Sequence, residues 1–228
     1  ANQRMLRTVA PRARVHCVYH GLNTDFSDLL ERRTPPAREH RHFRVLAVGR
    51  LVRKKGFDVL VEAAARLVGE GIALEVTIIG NDGDHGDAIR DLIHSRSMSR
   101  VVSLVGPQDQ RTLFDEYHRA HVFCLPCRVL ADGDRDGIPN ALMEAMACGT
   151  PTVTTDVSGI PEMVTDGLNG LVVPSDDVDA LASALRRVSA DPVLAKRLGD
   201  AARRTASDRF DGDRLASSLA NLFAETLG

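Results

Sequence analysis

After residue 42 the sequence alternates short apolar runs with longer amphipathic stretches. Each run holds four to six residues, most are rich in β-branched side chains, and several end at a glycine. Runs of this length and composition, bounded by turn residues, are typical of strands buried in a parallel sheet. The pattern predicts strands over Val45–Val48, Leu74–Ile79, Val101–Val105, Val122–Leu125, Thr152–Thr155 and Gly170–Val173.

The stretches between these runs have helical spacing. In Phe57–Val68 the apolar residues stand at positions 57, 60, 61, 64, 67 and 68, whereas Glu62 and Arg66 lie off that stripe. Short strands that alternate with helices indicate βαβ units, which are joined by right-handed crossovers. The predicted fold class is therefore α/β, with a Rossmann-like, doubly wound parallel sheet. Further helices are predicted over about 84–95, 110–119, 140–147, 176–189, 192–205 and 212–227.

A charged segment with two adjacent prolines precedes this regular pattern. Residues 31–42 read ERRTPPAREHRH, which predicts a linker or an exposed loop. Before it, the apolar run Val15–Tyr19 has the composition of a last strand from a preceding domain. The sequence also lacks an initiator Met, so we expect it to be part of a longer protein. The predicted organisation is the tail of an N-terminal domain plus a linker over 1–40, followed by one α/β domain over 41–228.

Composition and charge narrow the classes of function. The 228 residues are 43% hydrophobic and 26% charged, so disorder is a poor interpretation. Lys and Arg total 29 against 31 for Asp and Glu, and the net charge of −2 gives no positive field to attract nucleic acid. No apolar stretch approaches the roughly 20 residues of a membrane-spanning helix. Cys17, Cys124 and Cys148 lie in apolar segments, which indicates reduced thiols and a cytoplasmic protein.

The segment after the first predicted strand carries two cations. Arg50 follows the strand directly and Lys55 precedes the next helix, so both side chains can reach one point above the sheet. Ligands of doubly wound sheets bind beyond the carboxyl ends of the strands. A guanidinium fork together with an ammonium group suits a diphosphate. From spacing alone, a solvated basic turn is the alternative.

Residues 136–144, DGIPNALME, form a second segment of this kind. Gly137 allows a ligand to approach the backbone, Pro139 suits a helix start, and free N–H groups at that start can bind an anion. Glu144 lies about one turn into the helix among apolar residues, where its carboxylate needs a partner. A ribose diol is one such partner, and a nearby Lys or Arg is the other.

Together these segments resemble the C-terminal, nucleotide-sugar-binding domain of retaining GT-B glycosyltransferases of family four, the group 1 glycosyl transferases. VGRLVRKKGFDVLVEAA resembles that family's first strand, basic turn and helix, and DGIPNALMEAMACGTPTVTTDVSGIPEMVTDGLNGLVVP resembles its signature region. VHCVYHGLNTDF is similar to the segment that leads out of the N-terminal domain. The resemblance covers about residues 15–228 and implies one half of a GT-B fold, with residues 41–228 as the nucleotide-sugar-binding domain. GDRDGIPN is similar to exopolysaccharide-type members, such as colanic-acid-like transferases.

The resemblance also implies roles for individual residues. Glu144, the second acid of the family's Glu-x7-Glu motif, would bind the ribose hydroxyls. The first acid is Asp136 here, a departure that shortens its reach toward the donor sugar by one methylene. The expected catalytic residues are Asp136, Arg50 and Lys55, of which the two cations would hold the donor diphosphate. The expected donor-binding set is Arg50, Lys55, Gly106, Asp136, Gly137, Ile138, Pro139, Asn140 and Glu144, with Leu104–Pro107 near the base and Glu162 in a structural role.

The implied reaction is retaining transfer of a hexose from a nucleotide-sugar donor to a glycan or lipid-linked acceptor in polysaccharide biosynthesis. It needs no metal and no other cofactor, because cationic side chains and helix N–H groups would stabilise the departing diphosphate. The acceptor site would belong to the missing N-terminal domain, so we expect this chain alone to bind donor but hardly turn over. The expected location is the cytoplasm, with peripheral association at the inner face of the membrane left open. Nucleic acid is not expected as a partner.

Other interpretations stay open at this point. Cys124 and Cys127 form a C-x-x-C as in thioredoxin-like sites, but no helix follows to lower a thiol pKa, and the Cys and His spacings give no zinc pattern. A non-catalytic nucleotide-sugar-binding subunit is the second hypothesis for the function, and a GT-B epimerase or phosphorylase is the third. Three histidines lie near strand ends, where each can touch a ligand, although a structural or exposed role is commoner: His16, His20 and His85.

Overall fold

The computed structural model describes residues 6, 8–10, 16, 19–22, 24–32, 34 and 42–227. Short 3-10 turns over Arg53–Lys55 and Ile160–Glu162 connect some of the regular elements. In chain order the helices and strands are α1 Thr24–Arg32, β1 Phe43–Val48, α2 Phe57–Gly69, β2 Leu74–Ile79, α3 Gly86–Ser95, β3 Val102–Val105, α4 Gln110–Arg119, β4 Val122–Leu125, α5 Asn140–Ala147, β5 Thr152–Thr155, β6 Leu171–Val173, α6 Val178–Ala190, α7 Pro192–Arg209 and α8 Gly212–Leu227.

The strands in the described residues form a six-stranded sheet in the order β3-β2-β1-β4-β5-β6. Every pairing is parallel, with Val48 beside Ile79 and Leu125 beside Thr154. Strands β2 and β3 follow outward on one side of β1, and strands β5 and β6 follow outward on the far side of β4. The direction in which successive strands are added to the sheet therefore reverses between β1 and β4. In open α/β sheets, ligands bind in the crevice outside the carboxyl ends of the strands at such a point.

The core explains why the apolar runs became strands. All four residues of β4 and all four of β5 are buried, and β5 is built of Thr152, Val153, Thr154 and Thr155. The Thr154 hydroxyl donates a hydrogen bond to the Leu125 carbonyl oxygen at 2.9 Å, which satisfies a buried polar group between neighbouring strands. The amphipathic helix α2 buries Phe57, Leu60 and Leu67 against the sheet. The predicted Rossmann-like α/β class is confirmed.

Most predicted elements agree with the structure to within a few residues, and α1 is the main difference. Nothing in the sequence pattern predicted this helix, whose Phe26 is fully buried and packs against Phe114 and Tyr117 of α4 at ring-centroid distances of 6.2 and 6.0 Å. Helix α7 continues to Arg209, four residues beyond the predicted end, because Ala206 is also buried. Most of the predicted strand at 15–19 and most of the predicted linker lie outside the described residues. The domain boundary at residue 40 therefore stays a prediction.

Candidate functional site

The basic turn after β1 packs against the end of β4. Gly56, between the 3-10 turn Arg53–Lys55 and α2, has a left-handed backbone with a φ of 67°. A Cβ at this position would collide with the Pro126 carbonyl oxygen. The Lys55 side chain runs beside Gly49 at the end of β1 and is only 13% exposed, whereas Arg50 is exposed. The turn therefore presents its cations at the point where the strand order changes direction.

The loop after β4 supplies carboxylates to these cations. One Asp136 oxygen, Oδ2, lies 2.8 Å from the Lys55 Nζ, and the other lies 3.7 Å from the Lys54 Nζ. Lys54 also binds Asp134 at 3.0 Å, and this hydrogen bond is the main cause that raises the pKa of Lys54. The structure thus brings together two of the predicted residues, Lys55 and Asp136. Sequence reasoning missed Lys54, although it adjoins Lys55, because its contacts come from a loop 80 residues further along the chain.

Helix α5 begins beside this cluster. Pro139 has a φ of −69° and stands immediately before Asn140, and no side chain caps the helix start. Gly137 and Asn140 are exposed, and the space where a Cβ of Gly137 would lie is open. A helix start of this kind leaves backbone N–H groups free to bind an anion. The His20 Nε2 lies 3.3 Å from the Ile138 carbonyl oxygen, so the segment before α1 also reaches this helix start.

Glu144 of α5 is half-buried, and its partner is a tyrosine. The Tyr117 hydroxyl donates a hydrogen bond to Glu144 Oε2 at 2.8 Å. Burial raises the pKa of Glu144, and the hydrogen bond from Tyr117 opposes this effect. In the described part of the chain Glu144 forms no ion pair with a lysine or arginine, which was the alternative from the sequence. Tyr117 was not among the partners expected from the sequence, which were a ribose diol and a nearby lysine or arginine.

Two further predicted residues lie apart from the cluster. Gly106 follows β3 at the same edge of the sheet, but β2 separates β3 from β1, and Gly106 is exposed with open space around it. Glu162 accepts a hydrogen bond from the Tyr19 hydroxyl at 2.6 Å, which is the main cause that lowers the pKa of Glu162. This contact ties the 3-10 turn Ile160–Glu162 to the segment before α1, a structural arrangement.

The C-x-x-C motif has none of the features of a redox site. Cys124 is fully buried in β4, and burial raises its pKa well above the ordinary thiol value. Burial also raises the pKa of Cys127 to about 12, and the next helix begins only at Asn140. Reactive cysteines need a lowered pKa, so this pair is structural.

The remaining titratable groups include a second ion-pair network, in which the Arg128 guanidinium lies 2.8 Å from both Asp58 of α2 and Asp176. His85 lies 3.8 Å from Asp58 at the start of α3, and His16 is exposed. Among the residues that the structure describes, no three His, Cys, Asp or Glu side chains are grouped as metal ligands. Likewise, no described helix combines the length and the apolarity needed to cross a bilayer.

A cavity of about 570 Å³ lies at the other edge of the sheet, at the amino ends of the strands. Its lining includes His121, which precedes β4, and Gly149, which precedes β5, together with Lys196 and Arg203 of α7. Parallel α/β sheets bind their ligands at the carboxyl ends of the strands, so this cavity is a poor candidate for the main site.

The sequence profile described as "Glycosyl transferases group 1" matches residues 31–205 of this chain. The chain belongs to the group 1 glycosyl transferases. The family predicted from the sequence motifs is confirmed.

Two curated relatives extend this result. The amylovoran biosynthesis glycosyltransferase AmsK of Erwinia amylovora is 41% identical over 150 residues, which cover 66% of this chain and 37% of AmsK. WcaL of Escherichia coli, named for colanic acid biosynthesis, is 41% identical over 145 residues, which cover 64% of this chain and 36% of WcaL. The predicted similarity to colanic-acid-type members is thus confirmed, and this chain spans little more than a third of either relative.

Solved structures agree on the fold. The sucrose-phosphate synthase of Thermosynechococcus elongatus aligns with a TM-score of 0.83 and 27% identity over 99% of this chain and 56% of that chain. HepE of Anabaena, in complex with UDP-glucose, aligns with a TM-score of 0.75 and 20% identity over 97% of this chain and 63% of that chain. The fold is that of one Rossmann-like half of a GT-B glycosyltransferase.

Proposed function

We propose that this chain binds the nucleotide-sugar donor of a retaining hexosyltransferase that acts in polysaccharide biosynthesis. The observation that carries the proposal is the convergence of Lys55, Asp136 and the start of α5 at the point between β1 and β4. The relatives named for amylovoran and colanic acid biosynthesis support the class of product. HepE, whose structure contains UDP-glucose, supports a nucleotide sugar as the donor.

In this proposal the donor lies across the start of α5. Lys55 and Arg50 contact its diphosphate, the N–H groups at residues 137–140 face the β-phosphate and the sugar, and Glu144 accepts the ribose hydroxyls. Asp136 contacts a hydroxyl of the sugar from beside Lys55. Gly106, at the end of β3, lies on the side of the nucleotide base.

The chemistry assigned to these groups is electrostatic. As the bond between the anomeric carbon and the diphosphate breaks, negative charge grows on the phosphate oxygens. Fixed cations and backbone dipoles aimed at that charge stabilise the transition state without the cost of reorienting water. Lys55, Arg50 and the helix N–H groups supply this positive charge, so we propose that the transfer needs no divalent metal. The acceptor hydroxyl attacks on the face that the diphosphate leaves, and its proton passes to the departing phosphate oxygen, so the anomeric configuration is retained.

The acceptor belongs to the other half of the proposed enzyme. A GT-B glycosyltransferase binds its acceptor across the cleft between two Rossmann-like domains, so we propose that a second domain holds the glycan or lipid-linked acceptor. The same domain would provide any contact with the inner face of the membrane. On this basis the chain studied alone binds donor with little transfer.

Thermal unfolding with a panel of nucleotides tests the proposal. UDP, GDP, ADP and their hexose conjugates are each added at millimolar concentration, with and without EDTA. A ligand at one hundred times its Kd stabilises the folded chain by about 2.7 kcal/mol, which raises the melting temperature measurably. We expect one base to be preferred and EDTA to have no effect. Absence of a shift with every nucleotide contradicts donor binding.

A pair of lysine variants locates the ligand. Lys55→Met removes a charge-assisted contact worth about 1.5 to 3 kcal/mol, so the affinity falls about tenfold or more. Lys196→Met is the matched control, because Lys196 pairs with Asp200 on α7 at the amino edge of the sheet. Equal weakening by the two variants contradicts the proposed position of the diphosphate.

A further inference from the structure

Tyr117 is a fully buried residue whose hydroxyl reaches the candidate site. It lies on α4, and it donates its O–H to Glu144 Oε2 on α5 at 2.8 Å. The Thr150 hydroxyl in turn donates to the Tyr117 backbone carbonyl at 2.6 Å. A buried tyrosine hydroxyl needs a hydrogen-bond partner, and here that partner is a carboxylate that the proposed function assigns to the ligand.

The packing around the Tyr117 ring fixes the position of its hydroxyl. The ring lies 6.0 Å from Phe26 in an edge-on arrangement and 5.7 Å from Phe123, measured between centroids. Phe26 comes from α1 and Phe123 from β4, so the ring is held by elements on two sides. Because the ring cannot follow a rotating carboxylate, the hydrogen bond holds Glu144 in one orientation.

This orientation leaves one carboxylate oxygen available. Tyr117 occupies Oε2, and no described residue makes a hydrogen bond to Oε1. We propose that Tyr117 is a positioning residue for nucleotide binding, whose hydroxyl holds the Glu144 carboxylate with Oε1 directed toward the ribose. This inference rests on the proposed function, because it takes the ribose as the partner of Glu144.

The charge state of Glu144 depends on the same contact. Burial raises the pKa of Glu144, and the hydrogen bond from Tyr117 lowers it. The other titratable group acting on the pair is Cys148 at the end of α5, which acts on Tyr117. In the described residues no charged side chain of α4, α7, β4 or β5 forms an ion pair with Glu144. Removal of the hydroxyl therefore raises the pKa of Glu144 further, and less carboxylate remains at mildly acidic pH.

Calorimetric titration with the preferred nucleoside diphosphate tests this role between pH 5 and pH 8. Tyr117→Phe keeps the ring, so we expect it to fold and to bind about tenfold more weakly at pH 7, as expected for loss of a hydrogen bond to a charged group. The affinity of the unmodified chain falls as the pH drops through the pKa of Glu144. In Tyr117→Phe this fall begins at a higher pH. A ¹³C carboxyl titration of Glu144 follows the same pKa without ligand.

Two further variants separate positioning from general damage. Tyr19→Phe is the matched control, since it also removes a tyrosine hydroxyl from a glutamate, Glu162, and we expect unchanged affinity. In a Glu144→Gln background, Tyr117→Phe has no further effect on the pH dependence, because the titrating group is gone.

The outcomes distinguish this role from the proposed function. The same affinity and pH profile for Tyr117→Phe and the unmodified chain overturn the positioning role, and so does a pH shift that persists without Glu144. If the unmodified chain binds no nucleoside diphosphate, the proposed function fails, and this inference fails with it.

Discussion

At the scale of single residues, Asp136 already holds the lysine that we assign to the donor diphosphate. The Asp136 carboxylate and the Lys55 ammonium are 2.8 Å apart, and both side chains are largely shielded from water. A phosphate that binds Lys55 must compete with this carboxylate or share the ammonium with it. The charge of Asp136 therefore opposes the binding of a bare diphosphate, while its oxygens offer acceptors to a sugar hydroxyl.

Asp136→Asn is expected to change the preference of the site. The amide no longer competes for Lys55, so bare nucleoside diphosphate binds about two- to fivefold more tightly, the scale of a partly exposed ion pair. The nucleotide sugar gains less or loses affinity, because the charge-assisted contact to its hydroxyl is lost. Calorimetry with both ligands measures the ratio. Asp132→Asn is the control in the same loop, where Asp132 contacts only the backbone N–H of Asp134 in the described residues. A similar gain in both variants contradicts the competition.

Glu144→Gln should weaken binding and stabilise the fold at neutral pH. Burial raises the folded-state pKa of Glu144 above its value in the unfolded chain. The free energy of unfolding therefore falls as the pH rises from the unfolded pKa through the raised folded pKa. Gln does not ionise and still accepts a hydrogen bond from Tyr117, so the free energy of unfolding of the variant does not fall for this reason over this pH range. Urea unfolding at pH 4 and pH 7 measures the effect, and the variant gains stability relative to the unmodified chain only at the higher pH. A gain of equal size at both values contradicts the burial argument.

The sequence placed Lys55 and Asp136 in the segments that follow β1 and β4, and the topology of a parallel sheet puts these two segments at the same edge. It did not predict that the two side chains contact each other, because that contact depends on the path of the loop after β4. The Tyr117–Glu144 pair depends on how α4 packs on α5, which no local pattern encodes. The donor-binding and catalytic roles all remain predictions: those of Arg50, Lys55, Gly106, Asp136, Glu144 and residues 137–140.

At the scale of elements, strands and helices were predictable where burial is complete. The four residues of β4 are all buried, and such a run has few alternatives to a central strand. Helix α1 was missed because nine residues form a helix only with tertiary support, and that support comes from Phe26 between Phe114 and Tyr117. Its pattern is too short to distinguish from a polar loop.

Gly56→Ala tests whether the junction between β1 and α2 shapes the site. The φ of 67° strains any residue with a Cβ, and the added methyl also meets the Pro126 carbonyl oxygen. We expect a loss of at least about 2 kcal/mol in the free energy of unfolding, together with weaker nucleotide binding. Gly71→Ala is the control, since its φ is 84° but nothing lies within 4 Å of the added carbon. Backbone strain alone is expected to lower the free energy of unfolding of Gly71→Ala by about 1 kcal/mol, measured by urea unfolding. Equal losses in the two variants contradict a role for the contact with Pro126.

At the scale of the whole molecule, the two edges of the sheet offer two different sites. The carboxyl edge holds the lysine–aspartate cluster and the start of α5, and the amino edge holds the cavity of about 570 Å³ near His121 and Gly149. Volume does not decide between them, because a larger cavity of about 670 Å³ lies between α1 and the start of α4. Strand order and charge favour the carboxyl edge. The choice between them was available from the sequence, because an α/β pattern already implies ligands at the carboxyl ends.

The most direct test is to map a bound nucleoside diphosphate on the ¹⁵N-labelled chain by NMR. We expect the preferred diphosphate to shift the backbone amides of 49–56 and 137–144 most strongly, in one saturable binding event. The amides near His121, Gly149 and Arg203 at the amino edge stay unchanged. Shifts confined to the amino edge, or no shifts with any of UDP, GDP and ADP at millimolar concentration, contradict donor binding at the carboxyl edge.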